Sequence, residues 1–150
     1  MSNAHPTLFI GSDHAGFLLK EYLRGLLTGT YATIDLGCYS EDSVDYPRIA
    51  SAVSSGVLQH VDPALGILLC GSGNGVCMSA NRFPGIRAAL CWNVEIAKLA
   101  RLHNNANVLC LPARFLNQEE AWEIVQAFLQ TPFEGGRHLR RIELIETVNS

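Results

Sequence analysis

Short apolar runs of strand length recur along the chain, and none of them alternates apolar with polar residues cleanly. They occupy residues 8–10, 33–36, 66–70, 87–92 and 108–111. Continuously apolar strands are typical of a sheet that is covered on both faces, which is the parallel sheet of α/β proteins. The pattern therefore predicts five buried parallel strands.

The segments between these runs have helical length and periodicity. Leu18, Tyr22 and Leu26 recur at helical spacing, and Pro47 suits the first turn of the next helix. Helices are predicted over residues 16–27, 46–58, 74–81, 94–103, 117–130 and 137–148. This order predicts an α/β fold, a Rossmann-like, doubly wound parallel sheet of five strands in a three-layer α/β/α arrangement. Ligands of such sheets bind beyond the carboxyl ends of the strands, near the point where the strand order reverses.

The length of 150 residues fits one domain, which we place at residues 7–150. Residues 1–6 contain Ser2-Asn3-Ala4, which resembles the remnant of an expression tag, so we expect a tag remnant or a disordered terminus there. A formal net charge of -3 argues against nucleic-acid and membrane-surface partners, which usually require a basic excess. The expected partner is a small molecule.

Five cysteines without Cys-x-x-Cys spacing fit neither a disulfide framework nor a zinc ribbon, so reduced thiols are expected. The sequence shows neither a signal-peptide pattern nor an apolar stretch of about 20 residues that would span a membrane. These features predict a cytoplasmic protein.

Unusual chemistry follows two predicted strands that we expect to be neighbours. Asp13 and His14 follow the first strand, and the glycine-rich loop 70–75 follows the third. Gly71, Gly73 and Gly75 permit special backbone conformations and expose N–H groups at a helix start, where anions are favoured. A plain tight turn also explains such a pattern, so the glycines alone leave both interpretations open.

Two familiar nucleotide sites fit this loop poorly. A dinucleotide site requires an acidic residue at the end of the following strand, but that strand ends in Trp92-Asn93. A triphosphate-binding P-loop ends in Gly-Lys-Ser or Gly-Lys-Thr, but Val76 follows Gly75. Nucleotides are therefore disfavoured.

Cys70 stands where the third strand enters the loop, beside a helix start that would favour its thiolate. It is a candidate base, whereas Cys77, Cys91 and Cys110 are expected to be buried hydrophobes. Ser72 has two open roles, as a donor to an oxyanion or as a partner of the loop backbone.

Several other polar residues also have a structural and a functional interpretation. Asp13 suits either a helix N-cap or a sugar-binding carboxylate, and His103 suits the dipole at a helix C-terminus. Arg137 and Arg141 lie one helical turn apart, so they present a shared basic face that can grip a phosphate. Arg114 is a possible further member of this group.

Five motifs together resemble the ribose-5-phosphate isomerase B family, which includes isomerases of galactose 6-phosphate and allose 6-phosphate. In chain order they are Gly11-Ser12-Asp13-His14-Ala15-Gly16, Asp45-Tyr46-Pro47, Cys70-Gly71-Ser72-Gly73-Asn74-Gly75, His103-Asn104-x-x-Asn107-Val108 and Gly135-Gly136-Arg137-His138. The match spans nearly the whole chain.

The resemblance implies a metal-free and cofactor-free aldose-ketose isomerisation through an enediolate. It also implies active sites shared between the subunits of a homodimer, which is able to pair again as a dimer of dimers. The roles it implies are Cys70 as base, His103 in ring opening, Asp13 and Tyr46 at the sugar oxygens, and Asn104 at the substrate. The loop Gly71, Ser72, Gly73, Asn74 and Gly75 would cradle the enediolate, and His14, Arg114, Arg137 and Arg141 would surround the phosphate.

One departure bears on the base, because part of that family has a glutamate directly after the loop, where this chain has Val76. The expected reaction is the conversion of ribose 5-phosphate to ribulose 5-phosphate. A different aldose phosphate, including a six-carbon one, and a non-catalytic phosphosugar-binding protein stay open as alternatives. A nucleotide-binding Rossmann domain ranks third.

Overall fold

A computed structural model describes residues 5–148. Its five strands form one wholly parallel sheet with the order β2-β1-β3-β5-β4, which confirms the predicted α/β fold. The strands are β1 (Thr7–Ser12), β2 (Thr33–Asp35), β3 (Ala64–Cys70), β4 (Ala88–Leu90) and β5 (Val108–Pro112). Of the N-terminal segment 1–6, residues 1–4 lie outside the described residues.

Six α-helices connect and follow the strands in the described part of the chain. They are α1 (Phe17–Leu27), α2 (Tyr46–Gln59), α3 (Asn74–Ala80), α4 (Val94–Asn104), α5 (Gln118–Gln130) and α6 (Arg137–Thr147). Short 3-10 turns at His14–Gly16 and Ala113–Phe115 precede α1 and α5. No described helix combines the length and the apolar character needed to cross a bilayer.

The ends of several elements differ from their predicted bounds. β4 spans Ala88–Leu90, whereas the predicted strand covered residues 87–92. The side chain of Arg87 donates hydrogen bonds to the carbonyl oxygens at the end of α4. Asn117 is the N-cap of α5, where its side chain and that of Glu120 form a reciprocal capping box. Polar side chains that bind backbone groups therefore set these bounds.

Alternate residues of the central strands face opposite helical layers, as in a sheet covered on both sides. Ile67 and Leu69 of β3 join a core cluster with α1, α4 and α5. Leu68 and Cys70 join a second cluster with α2 and α3. The side chain of Cys70 therefore lies on the face covered by α2 and α3.

Helix α6 packs outside these layers, with α4 as its main contact. His138 and Ile142 of α6 are buried, while the Glu146 carboxylate accepts hydrogen bonds from the backbone N–H of Gly85 at 3.0 and 3.1 Å. The same helix leaves Leu139, Leu144 and Ile145 about half exposed. Its apolar surface is thus only partly covered within one chain.

Candidate active site

The residues that follow β1 and β3 meet at the carboxyl edge of the sheet, as predicted. The strands are direct neighbours, with Ser12 aligned with Leu69. The backbone N–H of Asp13 donates to the carbonyl of Leu69 at 3.1 Å. The strand order reverses between β1 and β3, so these loops lie where ligands of doubly wound sheets bind.

The glycine-rich loop combines a left-handed backbone with free donors. Gly73 has a φ of 78°, which favours glycine, and it is the N-cap of α3. The hydroxyl of Ser72 accepts a hydrogen bond from the backbone N–H of Asn74 at 3.2 Å. Within residues 5–148, the backbone N–H groups of Ser72 and Gly73 donate to no acceptor. The loop therefore offers two adjacent donors to an anionic oxygen.

Tyr46 and Arg114 pack against this loop at two different glycines. A methyl group at position 75 would come within 2.5 Å of Cε1 of Tyr46. A methyl group at position 71 would lie 3.1 Å from Nη1 of Arg114, whose backbone N–H donates to the Gly71 carbonyl at 3.0 Å. Gly71 and Gly75 thus bring a phenol and a guanidinium close to the loop backbone.

Asp13 and His14 both make hydrogen bonds to backbone groups at this edge. The Asp13 carboxylate is 7% exposed and accepts from the backbone N–H of Gly16 at 3.1 Å, which makes it the N-cap of the 3-10 turn. Nδ1 of His14 accepts from the backbone N–H of Val44 at 3.3 Å. Because that acceptor carries no proton, the neutral ring bears its proton on Nε2.

Cys70 ends β3 beside Pro112 of β5 and is 5% exposed. Its position at the head of the loop agrees with the sequence analysis. A groove of about 670 Å³ at this edge is lined by Ala15, Leu18 and Leu116 on the α1 and α5 side. Since Cys70 faces α2 and α3, we do not assign the reacting group to this groove.

The other predicted site residues lie at the opposite edge of the sheet. His103 and Asn104 end α4 just before β5 begins, and the carbonyl of Asn104 accepts from Nε of Arg87 at 3.0 Å. Arg137 and Arg141 are exposed on α6. A hydrogen bond from the backbone N–H of Glu134 to the carbonyl of Leu102 holds the segment before α6 beside the end of α4. The seven residues of β3 separate the two edges by about 20 Å. One chain therefore does not bring the two groups together.

A cluster at this second edge contains a residue that the sequence analysis missed. The His103 and His138 rings stack with centroids 4.3 Å apart, and Glu134 approaches both of them. Residues four positions apart share a face only within a helix. Because α6 begins at Arg137, the spacing of Glu134 and His138 does not predict their contact. The contact with His103 joins residues 31 positions apart, which no local pattern reveals.

The thiols have different environments, although all five cysteines are free. Cys91 and Cys110 are buried as predicted, but Cys77 is only half-buried. A hydrogen bond from the Cys110 thiol lowers the pKa of Cys77, whereas burial raises the pKa of Cys91 to about 12 and also raises that of Cys110.

A lowered pKa increases the fraction of Cys77 that is ionised at a given pH, and the thiolate is the reactive form. Cys77 is therefore expected to be the most reactive of these three thiols. We expect iodoacetamide at mildly alkaline pH to label Cys77 at least about tenfold faster than Cys91 or Cys110. Peptide mass spectrometry over a time course measures the three rates. Equal rates for Cys77 and Cys91 would contradict the expectation, and Cys77→Ser serves as the control for peptide assignment.

Comparison with known proteins gives concordant matches over nearly the whole chain. The sequence model described as ribose/galactose isomerase matches residues 8–145. A probable ribose-5-phosphate isomerase B from Mycoplasma genitalium is 48% identical over 140 residues, covering 92% of each chain. Ribose-5-phosphate isomerase B from Escherichia coli is 43% identical and covers 92% of this chain and 93% of its own.

Solved structures agree with these sequence matches. Ribose 5-phosphate isomerase from Thermotoga maritima superposes with a TM-score of 0.91 at 51% identity, covering 95% of this chain and 98% of that one. Ribose-5-phosphate isomerase B from Mycoplasma genitalium, solved with bound ribulose 5-phosphate, has a TM-score of 0.91 at 45% identity and covers 98% of both chains. The similarity thus extends over the fold and both edges of the sheet.

Proposed function

The chain belongs to the ribose/galactose isomerase family, and from this premise we propose that it interconverts ribose 5-phosphate and ribulose 5-phosphate. The observation that carries the proposal is the carboxyl edge, where Cys70 heads a loop with two free N–H donors. The names of relatives at 43% and 48% identity support the reaction, as does the ribulose 5-phosphate bound to the Mycoplasma structure. The five free cysteines agree with a cytoplasmic location.

Aldose-ketose isomerisation removes a proton from the carbon beside a carbonyl and returns it to the neighbouring carbon. This chemistry requires a positioned base and stabilisation of the enediolate oxygen that forms. We assign the base to Cys70, and the donors to the N–H groups of Ser72 and Gly73. The Ser72 hydroxyl orders the loop through Asn74, so its contribution is to hold the donors in place.

The same edge supplies contacts for the rest of the sugar. The hydroxyl of Tyr46 and the carboxylate of Asp13 serve sugar oxygens in this assignment. The turn that carries His14 contacts the turn that carries Arg114, so an imidazole and a guanidinium are available to the phosphate from one chain. A remote phosphate anchor supplies binding energy that orients the reacting carbons.

We assign the completion of each site to a second copy of the chain. His103 for ring opening, Asn104 for the substrate, and Arg137 and Arg141 for the phosphate lie about 20 Å from the loop within one chain. In a two-fold dimer each chain contributes these residues to the site of its partner, so two complete sites form. The half-exposed apolar side chains of α6 supply surface for such a contact.

Mixing two inactive variants tests the shared site. We expect Cys70→Ala and Arg137→Ala homodimers each to be nearly inactive, because every site in either homodimer lacks one group. Subunit exchange creates heterodimers with one intact site, so an equal mixture should recover about one quarter of the wild-type activity. The activity of the mixture is measured after dissociation and reassembly.

A mixture that stays inactive, although mass spectrometry shows heterodimers, would contradict shared sites. Two variants of the same edge, Cys70→Ala and Arg114→Ala, provide the matched control. Cys70 and Arg114 belong to the edge that one chain supplies to one site. In their heterodimer each of the two sites therefore lacks one group, and no activity beyond that of the parents should be recovered.

The reaction itself is tested with a panel of five- and six-carbon aldose phosphates in the presence of EDTA. We expect turnover of ribose 5-phosphate, and a metal-independent reaction should keep its rate in the chelator. Preferred turnover of allose 6-phosphate or galactose 6-phosphate would transfer the assignment to that substrate. If no sugar turns over but one raises the melting temperature, the chain is a phosphosugar-binding protein.

A further inference from the structure

We propose that His103, Glu134 and His138 form a binding site for a divalent metal ion of the zinc class. Their ligand atoms all lie within 4.8 Å of one another. Two imidazoles and one carboxylate are a donor set that Zn²⁺ accepts, with the fourth position left to water or another ligand. Mg²⁺ and Ca²⁺ prefer sets made of oxygen, so the donors favour a transition metal.

The distances in the cluster are close to those of a tetrahedral site. Oε2 of Glu134 lies 3.5 Å from Nε2 of His138 and 3.7 Å from Nε2 of His103. Metal-ligand bonds of 2.0–2.2 Å place tetrahedral ligand atoms about 3.3 Å apart. The carboxylate oxygen is therefore within a few tenths of an ångström of the spacing that a bound ion requires.

His138 provides a second, independent indication of a ligand. Its side chain is 7% exposed, and its Nε2 has no hydrogen-bond partner among the described residues. Burying a polar atom without a partner is unfavourable, so such atoms are rare in folded proteins. The nearby carboxylate oxygen lies at 3.5 Å without forming a hydrogen bond. A metal ion would provide the missing partner.

The cluster has the freedom that binding requires. The planes of the His103 and His138 rings differ by only 14°. The rings must therefore rotate apart before one nitrogen lone pair of each can point to the same ion. The side chains of His103 and Glu134 are 40% and 55% exposed, and they belong to a helix end and to the segment before α6. These two ligands can therefore rotate toward the fixed ring of His138.

Metal binding would remove His103 from the ring-opening role assigned to it above. The site is thus inhibitory for the isomerase, and this consequence rests on the proposed function. The binding itself does not, because it requires only the three side chains.

Binding is measured on the full chain with Co²⁺ as a spectroscopic probe and Zn²⁺ as its competitor. We expect the strong visible absorption of low-symmetry Co²⁺, its loss when Zn²⁺ is added, and no competition from Mg²⁺. Glu134→Gln should weaken Zn²⁺ binding by at least about tenfold, because a ligand is lost. Glu143→Gln, an exposed carboxylate of α6, and His60→Gln, a histidine after α2, should bind like the wild type.

Three results would overturn the site. They are an absence of Co²⁺ absorption, unchanged Zn²⁺ affinity in Glu134→Gln, and a thiolate-to-cobalt band that places the ion on a cysteine. His138→Gln is a second ligand variant, whose fold is checked by circular dichroism. If the Co²⁺ spectrum appears and Zn²⁺ leaves turnover unchanged, the metal site stands and the role of His103 in the proposed function fails.

Discussion

Replacing Cys70 by alanine is expected to lower kcat by about 10³-fold while the chain stays folded, because a positioned general base contributes about 10²–10⁴ in rate. The thiol stands at the end of β3, directly before the two free N–H donors. The enediolate oxygen would still be stabilised in the variant, but no group at position 70 would move the proton. Steady-state turnover of ribose 5-phosphate measures the loss.

Two further measurements separate lost chemistry from lost structure. The variant should still be stabilised by the phosphosugar in thermal unfolding, since the alanine leaves the proposed phosphate contacts intact. Cys91→Ala removes another buried thiol, on the far side of the sheet, and should keep kcat near the wild-type value. Retained turnover in Cys70→Ala would remove the base from this position.

Position 76 lies close to Cys70, which bears on the alternative base that the resemblance implies. Cys70 and Val76 belong to the same buried cluster between β3, α2 and α3. A glutamate at position 76, as the resemblance implies for part of the family, would therefore extend from the same side of the loop. In this chain position 76 is fully buried and apolar, so no carboxylate stands there and our proposal keeps the base at Cys70.

The features of the fold that depend on residues close together in the sequence were predictable. Continuous apolar runs arise because both faces of each central strand are covered, and this property is visible in the sequence. The position of β5 between β3 and β4 was not predictable, since it depends on pairing between strands that are distant in the chain. The short β4 was overestimated because Cys91, although buried, lies past its last ladder pair.

The candidate site divides in the same way. The glycine loop and Asp13 follow two strand ends, so their proximity follows from the topology of the sheet. The positions of His103 and Arg137 at the other edge depend on where α4 ends and where α6 docks. The resemblance implied shared sites, but neither position is encoded in the motif that contains the residue, so the division of the residues between the two edges emerged only from the structure.

A buried ion pair that the hydrophobic pattern did not reveal holds the segment between β2 and Tyr46. Lys20 is fully buried in α1, and its Nζ donates to both carboxylate oxygens of Asp35 and to the carbonyl of Cys38, each at 2.8 Å. Oδ1 of Asp35 also accepts from the backbone N–H of Gly37 at 3.0 Å. The segment ends at Tyr46, so this pair supports the position of a residue that we propose to contact the sugar.

Lys20→Met is expected to destabilise the chain by about 3 kcal/mol, at the low end of the cost of breaking a buried pair. The reason is that Asp35, whose side chain is only 19% exposed, loses the cation at 2.8 Å and keeps Arg24, whose Nε lies 3.6 Å from it. Urea unfolding followed by circular dichroism measures the change. Lys98→Met is the matched control, because the Lys98–Glu95 pair is 46% and 78% exposed and should contribute less than about 1 kcal/mol.

The double variant Lys20→Met/Asp35→Asn decides whether the unpaired carboxylate causes the loss. The Asp35→Asn substitution removes the carboxylate charge that Lys20→Met leaves without its lysine partner. The double variant should therefore be more stable than Lys20→Met alone. A double variant as unstable as the sum of the two single variants would show that the lysine acts by packing over the rings of Phe17 and Tyr39, which lie 5.4 and 5.6 Å from Nζ. In either case KM for the sugar should rise with the loss of stability, since the segment that positions Tyr46 loosens with the pair.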